Sequence, residues 1–445
     1  MAQNSHAYGM PLRFTFTPYP VVGMSQPVLR RYVDGADPIS GQPLAPQIAE
    51  ALTKPPTERE KNPERLRKPA RPRLLDPATE DDLHRLFLEN GWTDGLPIVL
   101  PTEERVAEML TGTDHAPDEI VGRMTLTVTQ EKLEYTVEKV AVNAVMAGAR
   151  PEHLPVILAI SSTEEPAFPS STTSFARMVI VNGPIRNEIG MNSGVGALSP
   201  FNYANSVIGR AWTLMSINLA DARLGETLMA SLGHNLNYNN MCCAENEEQN
   251  VWEPFHVQKG FKREESVVGL FRGWSVITSM GAANAFRPAN EETAIMLKAF
   301  PGLRSAATFV MDPLVAKGLK EQGFQTPQDF ARWLSENVKV PAGQFWSADI
   351  AYSMMGPLAR AGVEPYASWS KLRPEELLAP FHDPKQMNTV VVGGETNPLW
   401  LTTDFLYTQS ASVDKWRPKD GIRGDARPLR MPVAKVCSEG ICGLG

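Results

Sequence analysis

Residues 233–256, GHNLNYNNMCCAENEEQNVWEPFH, gather most of the side chains in this sequence that can ionise, ligate or attack. Cys242 and Cys243 stand side by side, flanked by His234 and His256 and by Glu245, Glu247, Glu248 and Glu253. Three chemistries suit such a run. Adjacent thiols can form a strained, transient disulfide. They can jointly ligate a soft transition metal, with His234, His256 and Glu253 completing the set. They can also simply be packed, because cysteine is among the most buried residue types. Glu253 and His256 would share a helix face, but Pro254 allows helix there only in a first turn. The acids after Cys243 raise a thiol pKa, which favours metal ligation over a bare nucleophile unless a cation such as Lys259, Lys262 or Arg263 offsets them. In a catalytic reading His234, His256 and Glu245 are the acid–base groups beside the thiols.

The other two of the four cysteines, Cys437 and Cys442, fall in the last nine residues. Four intervening residues, one of them glycine, let the pair close into a disulfide. A dithiol so near a chain end suits thiol–disulfide exchange, which needs access and a deprotonated attacker. Two glycine stretches are candidates for holding a cofactor or anion. Asn192, Ser193, Gly194 and Gly196 precede a helix near 203, whose N-terminus favours anions. Their distance from the preceding strand does not fit a dinucleotide fingerprint. Gly393 and Gly394 end an apolar run, followed by Glu395 and Asn397, and ligands of α/β sheets sit beyond the carboxyl ends of strands. A plain turn is the competing reading for both.

The elements that must position these groups read as an α/β protein of mixed sheets with flanking helices. The 445 residues, 42% hydrophobic and 21% charged, suffice for a large core and two lobes. Helices are expected at DDLHRLFLEN, EERVAEML, 137–145, 151–162, 203–219, NEETAIMLKAF, LVAKGLKEQG, PQDFARWLSENV and within 345–362. Strands are expected at LPIVL, GRMTLTVTQ, ARMVIVN, ESVVGLFRG, WSVITSM, ATFVM and NTVVV. The chain divides into an N-terminal arm (1–75) with short helices at VLRRYV and APQIAEALT, one lobe carrying the candidate site (76–262), a second lobe (263–430) and a dithiol tail (431–445). After 395 the chain reads as loop-rich.

A net charge of −7 argues against nucleic acid as the main partner. The basic run 54–73 is interleaved with acids and reads as a solvated connector. No secretory signal or membrane span is visible, so a reducing cytoplasm is the expected compartment. Four cysteines in so long a chain are not a disulfide scaffold.

Two resemblances bear on function. The segments DGLPIVLPTEERVAEML (94–110), VEKVAVNAVMAGARPEHLPVILA (137–159), NSGVGALSPFNYANSVIGRA (192–211) and CAENEEQNVWEPFHVQKGF (243–261) resemble bacterial proteins of the UGSC type, named for a selenocysteine- or cysteine-containing redox motif. That likeness implies a redox role, although this chain has no Cys-Gly-Ser-Cys run. The tail is similar to the C-terminal Cys-x-x-Gly-x-Cys arm of ribonucleotide reductase large subunits. This implies electron delivery from a thioredoxin-like reductant through Cys437 and Cys442 to a buried pair.

The expectation is therefore a small-molecule oxidoreductase with a cysteine centre at Cys242–Cys243, recharged by the tail, in a homo-oligomer. The alternatives are a metal-dependent lyase, hydratase or hydrolase, and a soft-metal-binding protein without turnover.

Overall fold

The computed structural model describes residues 13–21, 24–61, 73–125, 132–279 and 287–421. These fall into two compact units, residues 1–77 with 125–132, and 78–124 with 133–445. In the first unit, helices span Gln26–Asp34, Leu44–Thr53 and Glu58–Lys61. Leu44 is its single buried apolar side chain among the described residues.

The second unit is the α/β body, as the sequence implies. Its strands, with the small pair β1 (Ile120–Thr125) and β2 (Lys132–Thr136), include β3 (Ala176–Asn182), β4 (Cys242–Ala244), β5 (Val267–Gly273), β6 (Val276–Thr278) and β7 (Ala307–Met311). They continue with β8 (Val340–Pro341), β9 (Leu377–Leu378), β10 (Met387–Val391), β11 (Trp400–Thr403) and β12 (Leu406–Ser412). One sheet runs β12-β5-β3-β4 and another β10-β7-β11-β6, while β1 pairs with β2 and β8 with β9. Only β3–β4 and β7–β10 pair in parallel in the two larger sheets.

Side-chain alternation along these strands builds four layers. Met178, Ile180, Cys243 and Phe271 of the first sheet meet Val310, Val390 and Val392 of the second in one inter-sheet core. The other face of the second sheet, with Phe309, Met311 and Val391, packs on Leu297, Leu319, Phe330 and Leu334. Those four come from the helices Ala289–Leu297, Pro313–Glu321 and Pro327–Asn337. The outer face of the first sheet meets the helix Tyr203–Asn218. Arg177 of β3 lies 5.6 Å from the Trp212 ring, and Gly209 lets the helix close on β4. A Cβ at Gly209 would come within 1.8 Å of the Asn239 carbonyl oxygen, so no side chain fits there. The helix Leu154–Ser162 joins this layer through the Ser161 hydroxyl, 2.8 Å from the Met215 sulfur.

Local sequence explains the helix starts. Thr79, Thr102, Thr136, Asp312 and Thr326 each accept a backbone N–H of the first turn, and Asp329 completes a capping box with Thr326. β3 is buried at all seven positions, its apolar run Met178–Val181 bracketed by the buried Arg177 and Asn182.

Three elements differ from the sequence expectation. LPIVL forms no strand; Val99 N–H donates to the Met146 carbonyl and no ladder follows. The stretch after 395 holds two strands, β11 and β12. The latter is polar because its side chains bond across the molecule, Thr408 Oγ1 to Glu165 and Gln409 Nε2 to the Thr163 carbonyl. β4 is a three-residue strand built on the cysteine pair itself. The chain leaves the first sheet after β5 and returns to it at β12, so residues 76–262 and 263–430 share that sheet. Among the described residues no helix is long and apolar enough to cross a membrane.

Candidate functional site

The carboxyl ends of the parallel strands β3, β4, β7 and β10 converge, and three stretches far apart in sequence meet there. Glu245, just past β4, donates its N–H to the Val181 carbonyl of β3 at 3.1 Å. The next residue, Asn246, donates its N–H to the Val391 carbonyl of β10 at 2.8 Å, stitching the two sheets together. The Asn246 side-chain amide reaches the Gly393 carbonyl, also at 2.8 Å, and Gly393 N–H donates to the Ser193 carbonyl at 2.8 Å. The two glycine stretches thus form one structure with the acidic run. Gly393 has φ 108°, a left-handed value that disfavours any side chain. At Gly394 a Cβ would come within 2.3 Å of the Val195 side chain. Asn192 holds this loop closed, accepting from Gly194 N–H and donating to Asn202. Gly196 turns the loop at φ 71°.

Behind these loops lies a cluster of buried polar groups. The Glu245 carboxylate is fully enclosed and accepts from the Asn250 amide at 2.8 Å, from Phe255 N–H at 2.7 Å and from the Asn182 amide. Burial pushes its pKa up to about 7, with the Phe255 N–H and the Asn182 amide opposing the rise and the nearby Glu247 charge adding to it. The Asn182 amide also donates to Glu247 at 3.1 Å, so one NH2 group spans both carboxyls. Glu247 further accepts from Gly183 N–H at 2.7 Å and lies 3.1 Å from Arg186 Nε. Arg186 is buried, donates to the Glu245 carbonyl at 2.6 Å and pairs with the exposed Glu248. That hydrogen-bonded guanidinium holds Glu248 down at about 2.

Among the described residues, Asn182 Oδ1 and His256 Nδ1 of this cluster have no hydrogen-bond partner. His256 Nε2 lies 3.3 Å from the Arg263 carbonyl, which accepts, so Nε2 carries hydrogen. In the neutral ring Nδ1 is then an acceptor, 3.9 Å from the Glu247 carboxylate and too far for a direct bond.

The cysteines lie elsewhere. Successive strand residues point to opposite faces. Cys243 faces the inter-sheet core and Cys242 faces Gly209 on the helix layer. In this conformation the two cannot share an ion or close a disulfide with each other. Burial pushes Cys242 up to about 12 and Cys243 well above the ordinary thiol value, Cys243 also feeling Cys242 and Glu245. Both are free thiols. Asn240 and Met241, immediately before them, both hold left-handed backbone at φ 49° and 42°.

Neither histidine stands with the thiols. His234 caps the short turn Asn235–Tyr238, accepting from Leu236 N–H through Nδ1, while Nε2 lies 3.2 Å from the Trp274 carbonyl. Glu253 is exposed and paired with Arg263 at 2.9 Å. Among the described residues no group of three His, Cys, Asp or Glu side chains is placed to hold a metal ion. Cys437 and Cys442 lie outside the described residues.

The structure adds Asn182, Gly183 and Arg186 to the site. Their visible signal was an Asn-Gly pair ending an apolar strand, the same signature that marked Gly393–Gly394. Arg186 carried none. Comparison with protein-family models, with characterised proteins and with solved structures finds no match for this chain.

Proposed function

We propose that this protein is an enzyme that moves protons on a small molecule, as in a lyase, hydratase or isomerase, with Glu245 as its acid–base group. The observation that carries the reading is a buried carboxyl titrating near neutrality at the carboxyl ends of parallel strands, where α/β sheets bind ligands. A general acid or base works best with its pKa near the operating pH. Glu247 shares the Asn182 amide with Glu245, and Asn182 Oδ1 and His256 Nδ1 supply unused acceptors for a substrate hydroxyl or amine. The loops at 192–196 and 393–394 bring backbone close to the same end of the strands. The test is turnover of a fractionated metabolite mixture, followed by mass spectrometry. A conversion made by the wild type and lost in Glu245→Gln supports the reading. A conversion that Glu245→Gln retains in full removes it.

The cysteine redox reading has one observation in its favour, the consecutive left-handed residues Asn240–Met241 at the entry to Cys242, because backbone strain collects at functional sites. It requires β4 to open, since enclosed thiols stay protonated. Cys437→Ser and Cys442→Ser would then abolish repeated turnover with a thioredoxin-like reductant while sparing a single turnover. Unchanged repeated turnover would end it.

A further inference from the structure

Lys259 is unusual among the described lysines. It follows the short helical turn Phe255–Gln258 and is half-buried. Its Nζ lies 5.1 Å from the centroid of the Phe255 ring and 4.7 Å from that of Tyr407. Phe255 belongs to the inter-sheet core, and Tyr407 packs against it. Nζ donates to Asn388 Oδ1 at 2.7 Å. Asn388 is a buried residue of β10, two positions before Val390 and so on the same inter-sheet face. The amine therefore reaches into the edge of the gap between the sheets, and no carboxylate pairs with it among the described residues.

Lysines are rarely buried unless paired with an acid. The two rings attract an ammonium, but loss of hydration weighs against the charge and lowers the amine's pKa from its ordinary value. A desolvated lysine between apolar walls is the arrangement that makes an amine nucleophilic at neutral pH. Lys259 is not among the groups used at the carboxyl ends of β3 and β4.

We propose that Lys259 condenses with the carbonyl group of a small aldehyde or ketone to form an imine. The free amine's lone pair adds to the carbonyl carbon, giving a carbinolamine. That adduct expels water to leave a carbon–nitrogen double bond. Both amine hydrogens and the carbonyl oxygen depart as that one water, so no electron acceptor or donor is required. The Phe255 and Tyr407 rings give the site a preference for a carbonyl compound with an apolar or aromatic body.

The test uses the full-length protein with substoichiometric benzaldehyde and sodium cyanoborohydride, which reduces an imine to a stable secondary amine. Peptide mapping by mass spectrometry then locates the label. One dominant adduct at Lys259 is expected, absent from Lys259→Arg, and with glyceraldehyde as the polar comparator labelling that position several-fold less. Asn388→Asp places a carboxylate against Nζ, holds it as ammonium, and should cut labelling at Lys259 at least several-fold while labelling elsewhere stays the same. Label spread evenly over exposed lysines such as Lys298 and Lys371, or undiminished labelling of Lys259 in Asn388→Asp, would overturn the proposal. Because the readout is adduct formation, it stands or falls independently of any activity at Glu245.

Discussion

Replacing Glu245 by glutamine isolates the cost of burying this carboxyl. Its pKa is about 7 in the folded chain against 4.5 for the free side chain. A carboxyl whose folded pKa is raised binds its proton more tightly when folded. Its folded form is therefore favoured at low pH, and stability is lost as pH rises from about 4.5 to about 7. The gap of about 2.5 pH units at 1.36 kcal/mol each amounts to about 3 kcal/mol. Urea unfolding of wild type and Glu245→Gln at pH 5, 6, 7 and 8, followed by tryptophan fluorescence, measures it. The buried Trp252, whose backbone N–H donates to the side-chain oxygen of Asn250 beside Glu245, is a nearby reporter. Between pH 5 and pH 8 the wild type should weaken relative to the variant by roughly 2–3 kcal/mol, and the difference should level off above pH 7. Glutamine offers one acceptor oxygen where the carboxylate offers two, so the variant carries a constant penalty as well. That penalty does not depend on pH, and the slope carries the test. A flat difference, or one that grows in the wild type's favour as pH rises, would refute the reasoning.

Cys242 and Cys243 should resist alkylation in the native protein at pH 8 and react fully once it is unfolded. Native labelling on the timescale of a free thiol would show that β4 opens, and would favour the redox reading. Glu165→Gln leaves the Arg177 guanidinium, which is buried beneath Trp212, without its charge partner. A loss of about 3–5 kcal/mol in unfolding free energy is expected. A loss below about 1 kcal/mol would place that pair among those worth little, as at exposed sites. Gly209→Ala drives a methyl group into the Asn239 carbonyl and should either prevent folding or lower the melting temperature by several degrees, read by calorimetry.

Much of the body was legible because the patterns were local. Thr79, Asp312 and Thr326 announce helices through caps that involve only neighbouring residues. β3 and β10 announce themselves through short apolar runs, Met178–Val181 and Val390–Val392, that end at Asn182–Gly183 and at Gly393. β12 did not, because the polar groups of Thr408 and Gln409 are satisfied by Glu165 and by the Thr163 carbonyl, more than 240 residues away. The stretch 233–256 does contribute Glu245, Glu247 and His256 to the candidate site. What separates those from the thiols is the two-residue period of β4, which sends Cys242 and Cys243 to opposite layers, and no single-sequence signal fixed that short strand. The meeting of Asn192–Gly196 with Gly393–Gly394 was likewise invisible, being a matter of how two sheets join through Asn246.

The most direct test of the central claim is solvent deuterium exchange. A metabolite mixture is incubated in D2O with wild-type protein or Glu245→Gln, and carbon-bound deuterium is read by mass spectrometry. Proton transfer by Glu245 predicts a compound that gains deuterium, or gains or loses the elements of water, only with the wild type. Incorporation that persists at the wild-type rate in Glu245→Gln would contradict the account, whatever the compound proves to be.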